Sequence, residues 1–495
     1  MTRNRLVFTL VSFALLAAAT AIPASAAPGR ESQAPAAGNL LVGYGRADIT
    51  PALGTACALG LDDELLEVFD PLYIRAIWLG SGERTILIMV GDVIGVNGDD
   101  LDEFSALVGK SVGVPAGNVL ITSTHTHETA NSRWSVGKLL RPYGLEDKFS
   151  SLKFKDQYVA GLLEAARQAK ASAVPCEMAY SESPVVDIAS NRRVPIDGGK
   201  AMMRPARPSA DLRAKPVGKI DPLLRAVLFR SLKDGALIGI VNYNCHPTSA
   251  GGDELGYATG DFPGVGMAIA EKELGNVKLL HLTGTSGEIN PGKYVLSDST
   301  LPADRKRDVQ LMARRYADAI KGVVGAAKDW GPAARLELSR ESFGLSLRGK
   351  LPSLEEARKK LAAAVEDYKK RKAENNPQPG RLRGLGEEYL ISRTRDGKLQ
   401  TQAAALRLGD VYFTFLPGED MLMFGEELRD LFGRPRLLNV TLALDIATSY
   451  VVPQIYFDQG GYEPTATRLA PEAYVELKAK MISLLEAVGL APAKS

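Results

Sequence analysis

The sequence predicts an α/β fold in which mixed β-sheets are covered by helices and the chemistry gathers at the carboxyl ends of strands. Three observations carry this reading. Short apolar runs rich in β-branched or aromatic residues recur at 86–90, 119–121, 237–241, 278–282, 411–416 and 440–444. Runs that stay apolar at every position, bounded by Gly, Pro, Asn or Asp, read as buried strands rather than amphipathic helices. Between them, residues 155–169, 265–274 and 308–324 carry apolar side chains at helical spacing, as helices covering a sheet do. Finally, three of the four histidines, His125, His127 and His246, fall immediately after predicted strands. In open α/β architectures that is where ligand and catalytic groups collect.

Taken in chain order, the first element is not part of the fold. Arg3 and Arg5 precede an apolar stretch over 6–21, and Ala24-Ser25-Ala26 supplies the small residues a signal peptidase reads. Residues 1–26 are therefore expected to be a signal peptide, with a mature chain that begins near Ala27 and is secreted or periplasmic. The apolar stretch is shorter than the roughly 20 residues of a bilayer span, so no transmembrane segment is expected in the mature chain. Removing Arg3 and Arg5 from 60 basic residues leaves 58 against 58 acidic ones. A formally neutral chain argues against a nucleic-acid partner or an anionic membrane surface. The content of 45% apolar and 24% charged residues is that of an ordinary globular protein, and the length suits one large or two medium domains. Cys57, Cys176 and Cys245 are odd in number and lack a CxxC spacing, so they make no disulfide framework, although one pair is free to bridge if the fold brings two together.

The segment 353–375 is dense in Lys, Arg and Glu and opens on a Ser353…Glu356 capping box. It predicts an exposed helix, followed over 376–386 by a loop rich in Pro, Gly and Arg that reads as a lid or a spacer.

Chemistry concentrates after the strands. Thr124-His125-Thr126-His127 holds an HxH pair, which on an extended segment turns both imidazoles to one side and is a recurrent start of a metal site. Cys245-His246-Pro247 and Pro417-Gly418-Glu419 follow two further strands, and Tyr450 follows a third. Mixed His and carboxylate donors suit a catalytic zinc. His281 is different: it lies inside an apolar run and reads as a hydrogen-bonded core residue. Asp48, Asp92 and Asp261, at strand ends or turns, read as supporting or capping groups rather than ligands.

Six motifs in order resemble the neutral/alkaline ceramidase family: Gly45-Arg46-Ala47-Asp48-Ile49-Thr50-Pro51, Thr124-His125-Thr126-His127, Asn191-Arg192, Asn244-Cys245-His246-Pro247, Leu416-Pro417-Gly418-Glu419 and Ser449-Tyr450…Tyr462-Glu463. The resemblance covers nearly all of residues 27–495, which it makes a ceramidase-like catalytic domain with the helical excursion and loop of 353–386 inside it. It implies one zinc held by His125, His246, Glu419 and Tyr450, and a substrate contact from Arg192. Three departures stand out. Glu128-Thr129-Ala130 replaces the family's Ser-Gly-Pro, and Gly287-Glu288-Ile289-Asn290-Pro291 puts Asn290 where the family has its catalytic serine. With the sequence ending at Ser495, soon after Tyr462-Glu463, the immunoglobulin-like domain that follows the catalytic domain in that family is expected to be absent.

With Asn290 at the serine position, the expected nucleophile is a water activated by zinc. His127 is then expected to shuttle the proton and Asn290 to donate to the oxyanion. The implied activity is hydrolysis of the N-acyl amide bond of ceramide or a related lipid. Two alternatives stay open: a zinc hydrolase of another amide or ester, and a non-catalytic binding protein on the same scaffold.

Overall fold

Strands that are apolar on both faces need cover on both, and two stacked sheets provide it for most of the predicted runs. The computed structural model describes residues 40–493 except 59, 60, 62, 252–255, 297, 333, 334 and 375–381. The segment 1–26 and the first part of the 376–386 loop lie outside the described residues.

The first sheet has eight strands: β1 (Leu40–Asp48), β2 (Tyr73–Ser81), β3 (Arg84–Gly91), β4 (Val119–Ser123), β5 (Val174–Pro184), β6 (Leu223–Ser231), β7 (Leu237–Tyr243) and β8 (Val277–Thr283). Their spatial order is β8-β7-β6-β5-β1-β2-β3-β4. The inner pairings are antiparallel, and the outermost pairs β3–β4 and β7–β8 are parallel. The second sheet contains β9 (Leu336–Ser346), β10 (Lys398–Leu408), β11 (Val411–Phe415) and β12 (Arg436–Val440), with Thr394–Arg395 alongside β10. Ile77, Ile88, Val90 and Leu120 of the first sheet share one core with Leu406, Phe413, Phe415 and Val440 of the second.

Eight longer helices flank the sheets: α1 (Gly98–Val112), α2 (Leu152–Ala171), α3 (Asp261–Leu274), α4 (Pro302–Ala326), α5 (Leu354–Ala373), α6 (Leu385–Ser392), α7 (Leu422–Leu431) and α8 (Glu472–Ala487). Six of them pack their apolar stripes in three groups. Helices α1 and α2 cover β1 to β4, α3 and α4 cover β6 to β8, and α7 and α8 cover the second sheet. Among the described residues no helix is long and apolar enough to cross a membrane.

Two predicted elements differ in detail. The apolar run at 440–444 is not a strand: β12 pairs in parallel with β11 from Val411↔Arg436 to Phe415↔Val440 and stops there. Beyond it Leu442 and Leu444 have φ of 58° and 67°, so the chain turns down towards the site. Helix α5 starts on the expected capping box, but it is not simply exposed. Leu361, Val365 and Tyr368 are buried against Leu140, Leu145, Phe149, Leu385 and Tyr389, and Ala357 is buried as well.

The pairing makes β4 and β7 run in opposite directions, yet their carboxyl ends meet. A twist of roughly 20–25° per strand, accumulated over the steps from β4 to β8, turns one sheet edge by roughly 140–175° relative to the other. Edges that are antiparallel by topology thereby point the same way. The Thr283 hydroxyl at the end of β8 donates to the Thr124 carbonyl just past β4, at 2.8 Å.

Candidate metal centre

Each side chain at this convergence is aimed by its own backbone. His125 sits two residues past β4 with φ of 70°, a left-handed conformation rare for a residue with a Cβ. Its N–H donates to the Val93 carbonyl at 3.1 Å, which holds the turn. The His246 N–H likewise donates to Ile289 O at 2.9 Å. Glu419 and Tyr450 are register partners in a short parallel ladder, Glu419↔Tyr450 and Asp420↔Val451. Gly418 makes that approach feasible: with φ of 73°, a Cβ there would lie 2.2 Å from the Ser449 carbonyl oxygen.

The two imidazoles are fixed in the same tautomer. His125 Nδ1 lies 2.6 Å from the Ile94 carbonyl oxygen and His246 Nδ1 lies 2.7 Å from that of Ser286. A carbonyl only accepts, so Nδ1 carries the proton in both and Nε2 presents a lone pair. Both Nε2 atoms face Glu419 Oε2, at 3.3 Å for His125 and 3.0 Å for His246. Burial pushes the His246 pKa down to about 4, which favours its neutral form. Two neutral imidazole lone pairs and a carboxylate oxygen directed at one point repel one another unless a cation lies between them. This donor set fits a divalent metal.

Tyr450 stands behind Glu419, buried, and its oxygen accepts from Arg192 Nη2 at 3.0 Å. Desolvation raises the Tyr450 hydroxyl pKa well above 10, with Arg192 opposing; a metal dication would act in the same sense as the arginine. Arg192 Nε donates to Glu463 Oε1 at 2.8 Å and Arg193 Nη1 to the other oxygen at 2.7 Å. One buried carboxylate thus anchors two guanidiniums, and that of Arg192 positions the phenol. The His127 ring centroid lies 4.9 Å from that of His125 and 6.0 Å from that of His246. The ligand atoms of His125, His127 and His246 all lie within 4.8 Å of one another, a group able to hold a metal ion.

A cavity of about 560 Å³ opens onto the group. His125, His127, Glu419 and Tyr450 form its floor, and Val136, Phe149, Leu382, Leu385, Tyr389 and Leu390 form a largely apolar wall.

No protein-family model matches the sequence, and no curated protein matches it. Solved structures do match. The crystal structure of neutral ceramidase from Pseudomonas aeruginosa superposes with a TM-score of 0.70 at 16% identity, covering 92% of this chain and 76% of that one. A second structure, ceramidase complexed with C2, gives 0.67 at 16% identity over 92% of this chain and 77% of the other. The chain has the fold of neutral ceramidase. On this neutral ceramidase fold, His125, His127, His246, Glu419, Tyr450 and Arg192 come together around one point.

Asn290 does not join them. Its amide nitrogen donates to the Arg204 carbonyl at 3.2 Å, its amide oxygen accepts from the Gly292 N–H at 3.1 Å, and it is not among the residues lining the cavity. A side chain spent on two backbone partners lends no geometric support to the expected oxyanion donor. Arg192 bonds Tyr450 and Glu463 in this geometry. His281 is a core residue as read, with Nδ1 2.6 Å from the Tyr316 hydroxyl. Asp92 pairs with Arg75 at 2.7 Å, Asp48 accepts from the Thr50 N–H at 2.8 Å, and Asp261, the first residue of α3, accepts from the Ala250 and Phe262 N–H groups. Sequence reading missed Glu463 as the anchor of Arg192, although it quoted the residue, and missed the Ile94 and Ser286 carbonyls, for which a sequence holds no signal.

Proposed function

We propose that this chain is an exported zinc-dependent amidohydrolase that cleaves the N-acyl amide bond of ceramide or a related lipid. The observation that carries it is the pair of Nδ1-anchored imidazoles whose Nε2 lone pairs converge with the Glu419 carboxylate at the floor of an apolar cavity. The likeness of the fold to neutral ceramidases supports the same reading.

His125, His246, Glu419 and Tyr450 would hold the metal. When bound, zinc would lower the pKa of a water at the open position to roughly 7 and polarise the acyl carbonyl. The apolar wall from Phe149 to Leu390 excludes bulk water and seats an acyl chain. The Glu419 carboxylate would supply negative charge to the metal, and Arg192 holds the Tyr450 oxygen in register for it. His127 lines the cavity beside His125 and is the group to take the proton from the attacking water and deliver it to the leaving nitrogen. Residues 1–26 serve as the export signal, and residues 27–495 form the catalytic domain.

Metal analysis joined to turnover of a fluorescent ceramide tests the assignment. The purified protein is expected to contain about one zinc per chain, since two imidazoles, a carboxylate and a phenolate make one catalytic-type site. His125→Ala and His246→Ala are each expected to lose metal and activity together. Full zinc occupancy in either variant overturns the ligand set, and a zinc-loaded native protein inert towards every acyl amide offered overturns the hydrolase reading. Mass spectrometry of the mature protein is expected to find a terminus near Ala27.

A further inference from the structure

The cavity above the histidines holds a guanidinium that no carboxylate among the described residues balances. Three guanidiniums stand at or near it. Arg468 is exposed and lies 3.5 Å from the Glu387 carboxylate. Arg192, behind Tyr450, is paired with Glu463 at 2.8 Å. Arg133 lines the cavity, and among the described residues no carboxylate pairs with it. Its Nε is buried without a hydrogen-bond partner, and its Nη2 reaches only the Ala58 carbonyl at 3.5 Å. The guanidinium lies over the Phe149 ring, 5.2 Å from its centroid, with Val136 and Leu385 in the same wall.

A guanidinium withdrawn from water into an apolar wall costs free energy unless an opposite charge meets it. Desolvation lowers the Arg133 pKa to about 10, which leaves the group charged at neutral pH. An apolar side chain would complete this wall at no such cost. The planar fork of donors matches a carboxylate in two parallel hydrogen bonds, which a lysine does not.

We infer that, among the related lipids of the reading above, the cavity takes N-acyl amides bearing a carboxylate, as N-acylated amino acids do, and that Arg133 receives that carboxylate and selects such substrates over neutral ones, ceramide included. This rests on the amidohydrolase reading above for the bond that breaks, but not for the anion site itself.

The test separates the two by pairing binding with turnover. The binding probe is the keto isostere of N-dodecanoylglycine, in which a methylene replaces the amide N–H so that nothing is cleaved, together with its neutral carboxamide. The native full chain is expected to bind the acid about 30-fold or more tighter than the carboxamide, the order for truncating one partner of a partly buried charge pair. Arg133→Gln is expected to bring the two within about threefold, and Arg133→Lys to keep the sign of the preference with a smaller size. Equal affinities in the native chain, or an undiminished preference in Arg133→Gln at full metal content, overturns the inference. Dodecanoate alone is the third probe. If its binding depends on Arg133 while the preference between acid and carboxamide does not, the guanidinium serves the released acid and the inference fails. Turnover of N-dodecanoylglycine is read separately. No cleavage of this or any other acyl amide offered, with the binding preference intact, removes the hydrolase reading and leaves the anion site standing, whereas cleavage without any preference removes the anion site and leaves the hydrolase.

Discussion

His125 and His246 are directed by carbonyl oxygens, and that constraint decides what each nitrogen can do. With Nδ1 committed to Ile94 O and Ser286 O, the Nε2 atoms are acceptors only. His127 is the residue whose part in the site is most sharply testable, because its ligand atoms lie within the same 4.8 Å group. If it moves protons, His127→Ala slows turnover roughly 100- to 10,000-fold while zinc stays bound. If it is a third histidine ligand, metal and activity leave together, and zinc content measured beside kcat tells these apart. Asn290 gives the opposite kind of expectation. Its side chain bridges Arg204 O and Gly292 N, so Asn290→Ala strands a buried carbonyl. It is expected to lose about 1–3 kcal/mol of unfolding free energy in urea while kcat in the folded fraction falls by less than an order of magnitude. A drop of roughly 100-fold or more with stability intact would restore the oxyanion role. The position matters because Asn290 stands where the resembled family keeps its serine. Asn290→Ser, on a side chain engaged by backbone, is expected to give no gain in ceramide turnover.

At the scale of elements, the helical excursion over 353–386 forms part of the cavity. Leu361 of α5 is fully buried against the group that includes Leu385 and Tyr389, and Leu385 and Tyr389 line the cavity. Gly384 locks the two helices: its φ is 93°, and a Cβ there would lie 2.5 Å from Ala357 O and 2.6 Å from Leu361 N. Leu361→Ala is expected to cost about 2–5 kcal/mol and to raise KM for long-chain amides more than for short ones, with zinc content unchanged. Equal KM changes for both would mean that this wall does not touch the acyl chain. The capping box at Ser353 and Glu356 was readable in the sequence because it is a local contact. The burial of one face of α5 was not, because its partners Leu140, Leu145 and Phe149 are more than two hundred residues away and its Lys- and Glu-rich surface masks the apolar stripe. The same distinction explains the 440–444 run. Its composition is that of a strand, but pairing with β11 sets the register and ends the strand at Val440.

For the whole molecule, sequence reading reached the α/β class and five of the six strand runs, since a buried strand writes its environment into every residue. It did not reach the twist that turns two sheet edges until β4 and β7 deliver His125 and His246 to one point, because twist is a property of the assembled sheet. The burial that assembly imposes also sets how stability responds to acid. His281 is fully buried, and desolvation lowers its pKa from 6.5 to about 3. A base depressed in the folded state leaves stability intact above the unfolded value. As pH falls below 6.5 the unfolded chain takes up a proton that the folded one refuses, so stability drops until about pH 3, by roughly 1.4 kcal/mol per pH unit at most. Asp70 works in the other direction. Desolvation raises its pKa from 3.8 to about 7, against hydrogen bonds from Thr259 and the Gly260 N–H. A raised folded pKa gives stability that is full below 3.8 and is lost as pH rises through 7. Asp70 is partly accessible, so solvent screening makes its slope the smaller of the two. Between pH 6 and 4.5 Asp70 therefore offsets part of the acid loss that His281 contributes. Asp70→Asn should steepen that loss and His281→Gln should flatten or reverse it. Urea unfolding of the three proteins across this window measures the slopes directly, and parallel slopes for native protein and His281→Gln would show that His281 gains its proton in the folded state, contrary to its burial against Tyr316.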